Sequence, residues 1–293
     1  MFNYSGEHRD TENYMYVKFW GVHGSLPRPG PSTLKYGGNT PCVELRHQDT
    51  LIILDAGTGI RDLGEDLLRR KDRSGKPLGT IGHLFFSHLH WDHVHGFPFF
   101  APAFKKGNEF HLYGAAGLDR TIQQIIDNQM RPPNWPITLE QMAASIFFHN
   151  LSPGDRLNID GMAIQVEQLD HPGGSLGYRI EVHGKSIIYA TDTEFHLCCD
   201  PKAIELARDG DLLIHDGMFT PEQYLGLWDE TSRESWGHST WEGAVELAEA
   251  ANVKQLILFH HGNEDKVVAE IEKKAQERFP RASAAYEGLE IEI

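Results

Sequence analysis

The sequence predicts an α/β protein in which two sheets carry helices on their outer faces. Two observations point there. Short apolar runs of strand length alternate with amphipathic stretches along the chain, strands leading in each half. Several of those runs also open directly into a histidine or aspartate, as Ile81 to Phe86 does before Ser87-His88-Leu89-His90-Trp91-Asp92-His93. Polar side chains grouped at strand ends place a site in the loops along one edge of the sheets.

The elements follow in order. Residues 1–13 read as a polar tail, and 14–293 as one domain, because no Pro-, Gly- or Ser-rich linker divides them. Tyr16 to Trp20, Pro41 to Arg46 and Thr50 to Leu54 have the apolar content of strands, and the last ends in the tight turn Asp55-Ala56-Gly57-Thr58-Gly59. A helix is expected over Ile60 to Arg70, a charged loop over 71–80, then the strand before the histidines. Pro98 to Gly107 is loop-like and aromatic, and Glu109 to Tyr113 is a strand. Helical periodicity runs from Leu118 to Met130, where Arg131-Pro132-Pro133 breaks it. Short strands fill 144–171 around the turn Ser152-Pro153-Gly154-Asp155. Tyr178 to Val182 and Ser186 to Tyr189 can pair across His183-Gly184-Lys185. A helix over Asp200 to Asp209, a buried strand over Asp211 to Ile214, a Ser/Thr-capped helix over Thr240 to Ala251 and a strand over Gln255 to Phe259 follow. Val267 to Phe279 is the last helix, and Leu289 to Ile293 alternates like an edge strand.

Composition narrows the function. The 293 residues are 40% apolar, enough for a core, yet no stretch approaches the roughly 20 apolar residues of a membrane span. No signal-peptide pattern opens the chain. Three cysteines, two adjacent at Cys198 and Cys199, give no disulfide framework, so a reducing cytoplasm is expected. The net charge of −15 disfavours long nucleic acid as a partner, since phosphate backbones are gripped by Lys and Arg. A small anionic substrate stays open, because bound cations reverse the local potential.

Imidazole nitrogens and carboxylate oxygens are ligands for zinc-, iron- or manganese-like ions. Four of them crowded into six positions at a strand end already supply the four ligands of one closed structural site, and such packing points to two ions and to an enzyme. Further donors stand where strands end: His171 in Asp170-His171-Pro172, Asp192 in Thr191-Asp192-Thr193, and His260 after Leu256 to Phe259.

The signature His88, His90, Asp92, His93, followed in order by a lone histidine, a lone aspartate and a last histidine, resembles the metallo-beta-lactamase fold superfamily over Lys18 to Ile293. The narrower resemblance is to its phosphodiesterase branch, which includes the tRNA 3′-processing endonuclease and small cyclic-phosphate phosphodiesterases. Asp192 stands where the beta-lactamases proper carry cysteine, and Gly237-His238-Ser239-Thr240 precedes a helix and the His260 strand. Asp216, in Leu212 to Asp216, stands where the endonucleases carry glutamate.

The resemblance implies a four-layer αββα sandwich and two divalent ions, zinc or else manganese or iron. His88, His90 and His171 would hold one ion, Asp92, His93 and His260 the other, and Asp192 would bridge them. A hydroxide between ions roughly 3.5–4 Å apart would attack the phosphorus. Asp92 would help orient it, and His238, steadied by Asp216, would protonate the leaving oxygen. It also implies a homodimer; the aromatic stretches Phe97 to Phe104 and Met130 to Phe148 are the candidate surfaces, unless they pack back on their own chain.

Among substrates, a small 3′,5′-cyclic nucleotide ranks first. The endonucleases resemble one another in a long arm between the equivalents of His171 and Asp192, and only 20 residues separate them here. RNA processing, a 2′,3′- or sugar cyclic phosphate, and a non-catalytic binding protein are the alternatives. Trp91 and Phe97 to Phe100 are expected to pack the ligand loop, although a base could stack on some of them. Asp55 shapes a turn or steadies a ligand, and the remaining histidines, His83, His111 and His149 among them, take structural roles.

Overall fold

The computed structural model describes residues 14–71, 79–115, 121–194 and 200–293. The expected tail over 1–13, most of the 71–80 loop, the start of the helix expected from Leu118, and His196, Cys198 and Cys199 lie outside the described residues.

Two seven-stranded sheets face each other. The first holds β1 (Tyr16–Gly21), β2 (Cys42–His47), β3 (Thr50–Leu54), β4 (Ile81–Phe85), β5 (Glu109–Ala115), β6 (Ser145–Leu151) and β14 (Glu290–Glu292), in the order β14-β1-β2-β3-β4-β5-β6. The second holds β7 (Arg156–Ile159), β8 (Met162–Leu169), β9 (Ser175–Val182), β10 (Lys185–Ala190), β11 (Leu212–Asp216), β12 (Leu256–Phe259) and β13 (Ala282–Ala284), in the order β13-β12-β11-β10-β9-β8-β7. Each sheet is antiparallel on one side and parallel on the other, switching at β3/β4 and at β10/β11.

Strand periodicity sorts the side chains into layers. In β3, Ile52 and Leu54 face the opposite sheet, while Leu51 and Ile53 face outward. In β12, Ile257 and Phe259 point in and Leu256 and Leu258 point out. The central layer joins Phe19, Leu45 and Phe85 of one sheet to Tyr178, Ile187 and Phe259 of the other, all fully buried.

The outer faces need helices to cover them. Helix α1 (Ile60–Arg69) and α3 (Ile122–Gln129) lie on the first sheet through Ile60, Leu63, Ile122 and Ile126. Helices α4 (Pro201–Ala207), α6 (Trp241–Ala250) and α7 (Asp265–Arg278) cover the second through Leu206, Val245, Leu247 and Ile271, and the single turn α5 (Pro221–Tyr224) lies between α4 and α6 in the chain. The architecture is the expected αββα sandwich. The expected cap on α6 is Thr240, whose hydroxyl accepts from the Gly243 amide at 3.1 Å.

The loop stretch over Gly21 to Pro31 and Lys35 to Asn39 is tied down from a distance. Asp265 accepts from the Lys35 and Tyr36 amides at 2.8 and 3.2 Å, and Glu287 accepts from the Asn39 amide at 2.7 Å. Of the surfaces expected to pair two copies, Phe97, Phe100 and Met130 are buried in the chain's own core, and Trp135 packs edge-on against Phe99 with ring centres 4.7 Å apart. Phe99 and Phe147 stay about half exposed.

Candidate metal centre

Six strands run toward the same edge, and each delivers a polar residue there. Asp55 follows β3, and Ser87 and His88 follow β4. His171 follows β8, Asp192 follows β10, Asp216 ends β11, and His260 follows β12. The short helix α2 (Trp91–Val94) adds Asp92 and His93. Asp55, Asp192 and His260 adopt left-handed backbone, with φ of 61°, 52° and 59°. That conformation turns the chain sharply off the strand and costs on the order of 1–3 kcal/mol at a non-glycine residue.

Seven expected ligands fall into two donor groups. His88, His90 and His171 form one, and Asp92, His93, Asp192 and His260 the other. Asp192 touches both: one carboxylate oxygen lies 3.6 Å from His88 Nε2 and 3.3 Å from His93 Nε2, and the other 3.2 Å from His260 Nε2. All but His90 are buried.

Surrounding groups fix which ring nitrogen faces inward. His171 Nδ1 lies 2.8 Å from the Gly237 carbonyl, which can only accept, so Nδ1 carries the proton and Nε2 offers its lone pair. Ser87 Oγ donates to Asp55 at 2.8 Å and so accepts from His88 Nδ1 at 3.1 Å. His88 Nε2 is thereby left buried with no hydrogen-bond partner. His93 Nδ1 donates to Asp55 at 2.8 Å. His93 Nε2 and His260 Nε2 stand 3.3 Å apart, and His90 Nδ1 and His171 Nε2 stand 3.1 Å apart. Nitrogens converging in pairs beside carboxylates, one of them orphaned in the interior, are what divalent cations satisfy. The residues present fit two ions.

Electrostatics agree. Burial first, and neighbouring imidazoles second, push His88 below its ordinary pKa. Burial also lowers His90 and His171, so all three are neutral donors. Burial opposes charge on His93 too, but Asp192, Asp92 and Asp55 outweigh it and hold His93 well above the usual imidazole range. Asp92 and Asp192 are kept ionised by the facing histidines against the cost of burial.

His238 stands beside these groups. Its Nδ1 donates to Asp216 at 2.7 Å, and Asp216 also accepts from the Met218 amide at 2.9 Å. Burial alone would lower His238, but the charge and hydrogen bond of Asp216 prevail and raise it to about 9. His238, Asp192, Asp92, His90, Trp91, Leu89 and Ser25 line an open cleft of about 380 Å³.

Several supporting residues escape sequence reasoning. The Ser25 amide donates to Asp92 at 2.8 Å, from a loop 67 residues away. Glu194 accepts from the Ser235 and Gly237 amides at 2.6 and 2.8 Å and from the Tyr224 hydroxyl, holding the segment that carries His238. A β-carbon at Gly24 would lie 2.3 Å from His260 Nδ1, so only glycine lets that loop close on His260. Asp55 steadies His93, as its position allowed. His95 bonds back to the Trp91 carbonyl of its own turn, and His261 turns away to the Ala285 carbonyl at 2.8 Å. His83, His111 and His149 form a stack on β4, β5 and β6, outside both donor groups.

Known proteins bear on this arrangement. Residues 50–261 match the beta-lactamase superfamily domain. Ribonuclease Z of Bacillus subtilis (strain 168) is 25% identical over 259 aligned positions, covering 73% of this chain and 81% of the relative. The metallo-beta-lactamase fold protein YhfI of Bacillus subtilis superposes with a TM-score of 0.70 at 18% identity, covering 96% of this chain and all of that one. The short form of human tRNase Z superposes with a TM-score of 0.65 at 19% identity, covering 94% of this chain and 98% of that one. The signature residues, the sandwich and the donor groups thus converge, and the chain belongs to the beta-lactamase superfamily as one of its metal-dependent hydrolases.

Proposed function

We propose that this protein is a dinuclear-metal phosphodiesterase that hydrolyses RNA, as its ribonuclease Z relatives are named for doing. The observation that carries the chemistry is the set of two donor groups opening, with the His238–Asp216 pair, into one cleft. His88, His90 and His171 would hold one ion and Asp92, His93 and His260 the other, with the Asp192 carboxylate placed between the two groups. Zinc is the ion that imidazole-rich sites of this kind suit, with manganese or iron next. When bound, the pair activates water and neutralises charge on the phosphate. The Ser25 amide holds the Asp92 carboxylate in place. With Nδ1 given to Asp216, His238 presents Nε2 as the proton donor to the departing oxygen.

This ranking departs from the expectation of a 3′,5′-cyclic nucleotide, which none of the relatives named above supports. A small phosphodiester remains the second reading, favoured by one feature. β9 and β10 are joined by the two-residue turn His183-Gly184, at φ of 51° and 72°, so no arm projects between His171 and Asp192.

The deciding experiment loads the protein with zinc or manganese and offers precursor tRNA, 3′,5′- and 2′,3′-cyclic nucleotides, a bis-aryl phosphodiester and a beta-lactam. Cleavage of precursor tRNA at its 3′ side is expected. Faster turnover of a cyclic nucleotide moves the assignment to the second reading. No cleavage of any phosphodiester by protein carrying two ions per chain rejects both.

A further inference from the structure

Trp91 is expected from sequence to pack the ligand loop, with stacking on a base as the alternative. The structure places it otherwise: its side chain is 86% exposed, although it sits between the ligands His90 and Asp92 and lines the cleft with Asp192 and His238. Trp135 shows the packed alternative, seated edge-on against Phe99. Trp91 opens the short helix α2, whose Asp92 and His93 are buried in the centre, and its carbonyl accepts from the His95 amide at 2.8 Å. Its backbone is therefore fixed by the centre itself, while the ring gains nothing from the protein core. Leaving a tryptophan in water forgoes a large burial gain, and the flat ring is suited to stack on another. Apart from Leu89, the other lining residues are polar or charged, so the cleft has one aromatic face beside a site for an anion.

We propose that Trp91 is the platform on which a nucleobase next to the scissile phosphate stacks, so that the substrate is a nucleotide diester and not a sugar or alkyl one. This rests on the phosphodiesterase reading and adds the substrate's second recognition element. Base–aromatic stacking tolerates any base, which leaves sequence preference to other contacts.

The test uses two diesters with the same leaving group: thymidine 5′-(p-nitrophenyl) phosphate, which has a base, and methyl p-nitrophenyl phosphate, which has none. For the metal-loaded wild type, kcat/KM should favour the thymidine ester. Trp91→Ala should lower that ratio on the order of tenfold, chiefly through KM, and Trp91→Phe should restore most of it. An unchanged ratio in Trp91→Ala that still holds two ions overturns the proposal. If the wild type carrying two ions cleaves neither ester, the phosphodiesterase reading is decided by the wider substrate panel, and stacking is judged by fluorescence. AMP should quench the wild type's tryptophan emission more than that of Trp91→Phe; equal quenching overturns the proposal.

Discussion

His238 is the side chain on which the proposed chemistry turns most sharply. A proton donor is needed only where the leaving oxygen is a strong base, and a positioned donor contributes about 10²–10⁴ in rate. His238→Ala should therefore keep both ions and lose activity by about that factor on a nucleotide substrate, but much less on a nitrophenyl ester. Equal losses on the two would reject the donor role. The acid must also be protonated. Because Asp216 raises His238 to about 9, kcat on an alkoxide-leaving substrate should fall as pH rises through the His238 pKa. Asp216→Asn removes the charge that raises it, so the falling limb should move to lower pH; a limb that stays put argues that Asp216 does not act through His238. His93 gives a separate prediction. Without ions it carries a proton, held by Asp192, Asp92 and Asp55, and an ion must displace that proton to reach the nitrogen. His88, His90 and His171 are already neutral and release none. Calorimetry at neutral pH in buffers of different ionisation enthalpy should show net proton release on metal binding, with affinity rising as pH rises. Binding without proton release would place the ions elsewhere.

At the scale of elements, the junction of β3, β4 and β10 holds the centre together. Asp55 accepts from the Ser87 amide at 2.7 Å, from the Ser87 hydroxyl at 2.8 Å, from the Tyr189 hydroxyl at 2.7 Å and from His93. One carboxylate thus links both sheets and His93. Asp55→Ala would leave several buried donors unpaired, a loss of about 3–5 kcal/mol by analogy with breaking buried charged pairs, and should lower metal occupancy. Asp55→Asn, which tolerates the left-handed backbone, should lose less; equal destabilisation in chemical denaturation would deny the carboxylate this role. The strands leading into the ligands were legible in sequence because alternation and abrupt polar endings are local signals: Thr50 to Leu54 and Gln255 to Phe259 nearly match β3 and β12. The edge strand β14 was legible from its alternation. The hold of Glu194 on Gly237 was not, because its partner lies 43 residues away and no local pattern records it. The sequence could not choose between the packing and stacking readings of Trp91 for a related reason: spacing shows that it lies among candidate ligands, but not which side of the short helix α2 faces water.

At the scale of the molecule, the charge of −15 and the short β9–β10 turn stand against the RNA reading, and the relatives stand for it. A second copy of the chain would reconcile them by extending the surface around the cleft. The aromatic stretches expected to pair two copies are largely spent on the chain's own core, which moves that expectation to the segment after Tyr224. There Leu225, Leu227, Trp228 and Trp236 are all more than half exposed, and Trp236 lies two residues before His238. Apolar rings grouped on one segment are costly in water and typical of the centre of a protein interface. We therefore expect a homodimer at micromolar concentration. Replacing Trp228 with Glu should shift sedimentation equilibrium toward the 33.1 kDa monomer, and if the partner completes the RNA surface, it should weaken precursor tRNA cleavage more than cleavage of a nitrophenyl diester. Wild-type protein that sediments only as the monomer rejects the dimer and leaves the cleft of a single chain to bind its substrate alone.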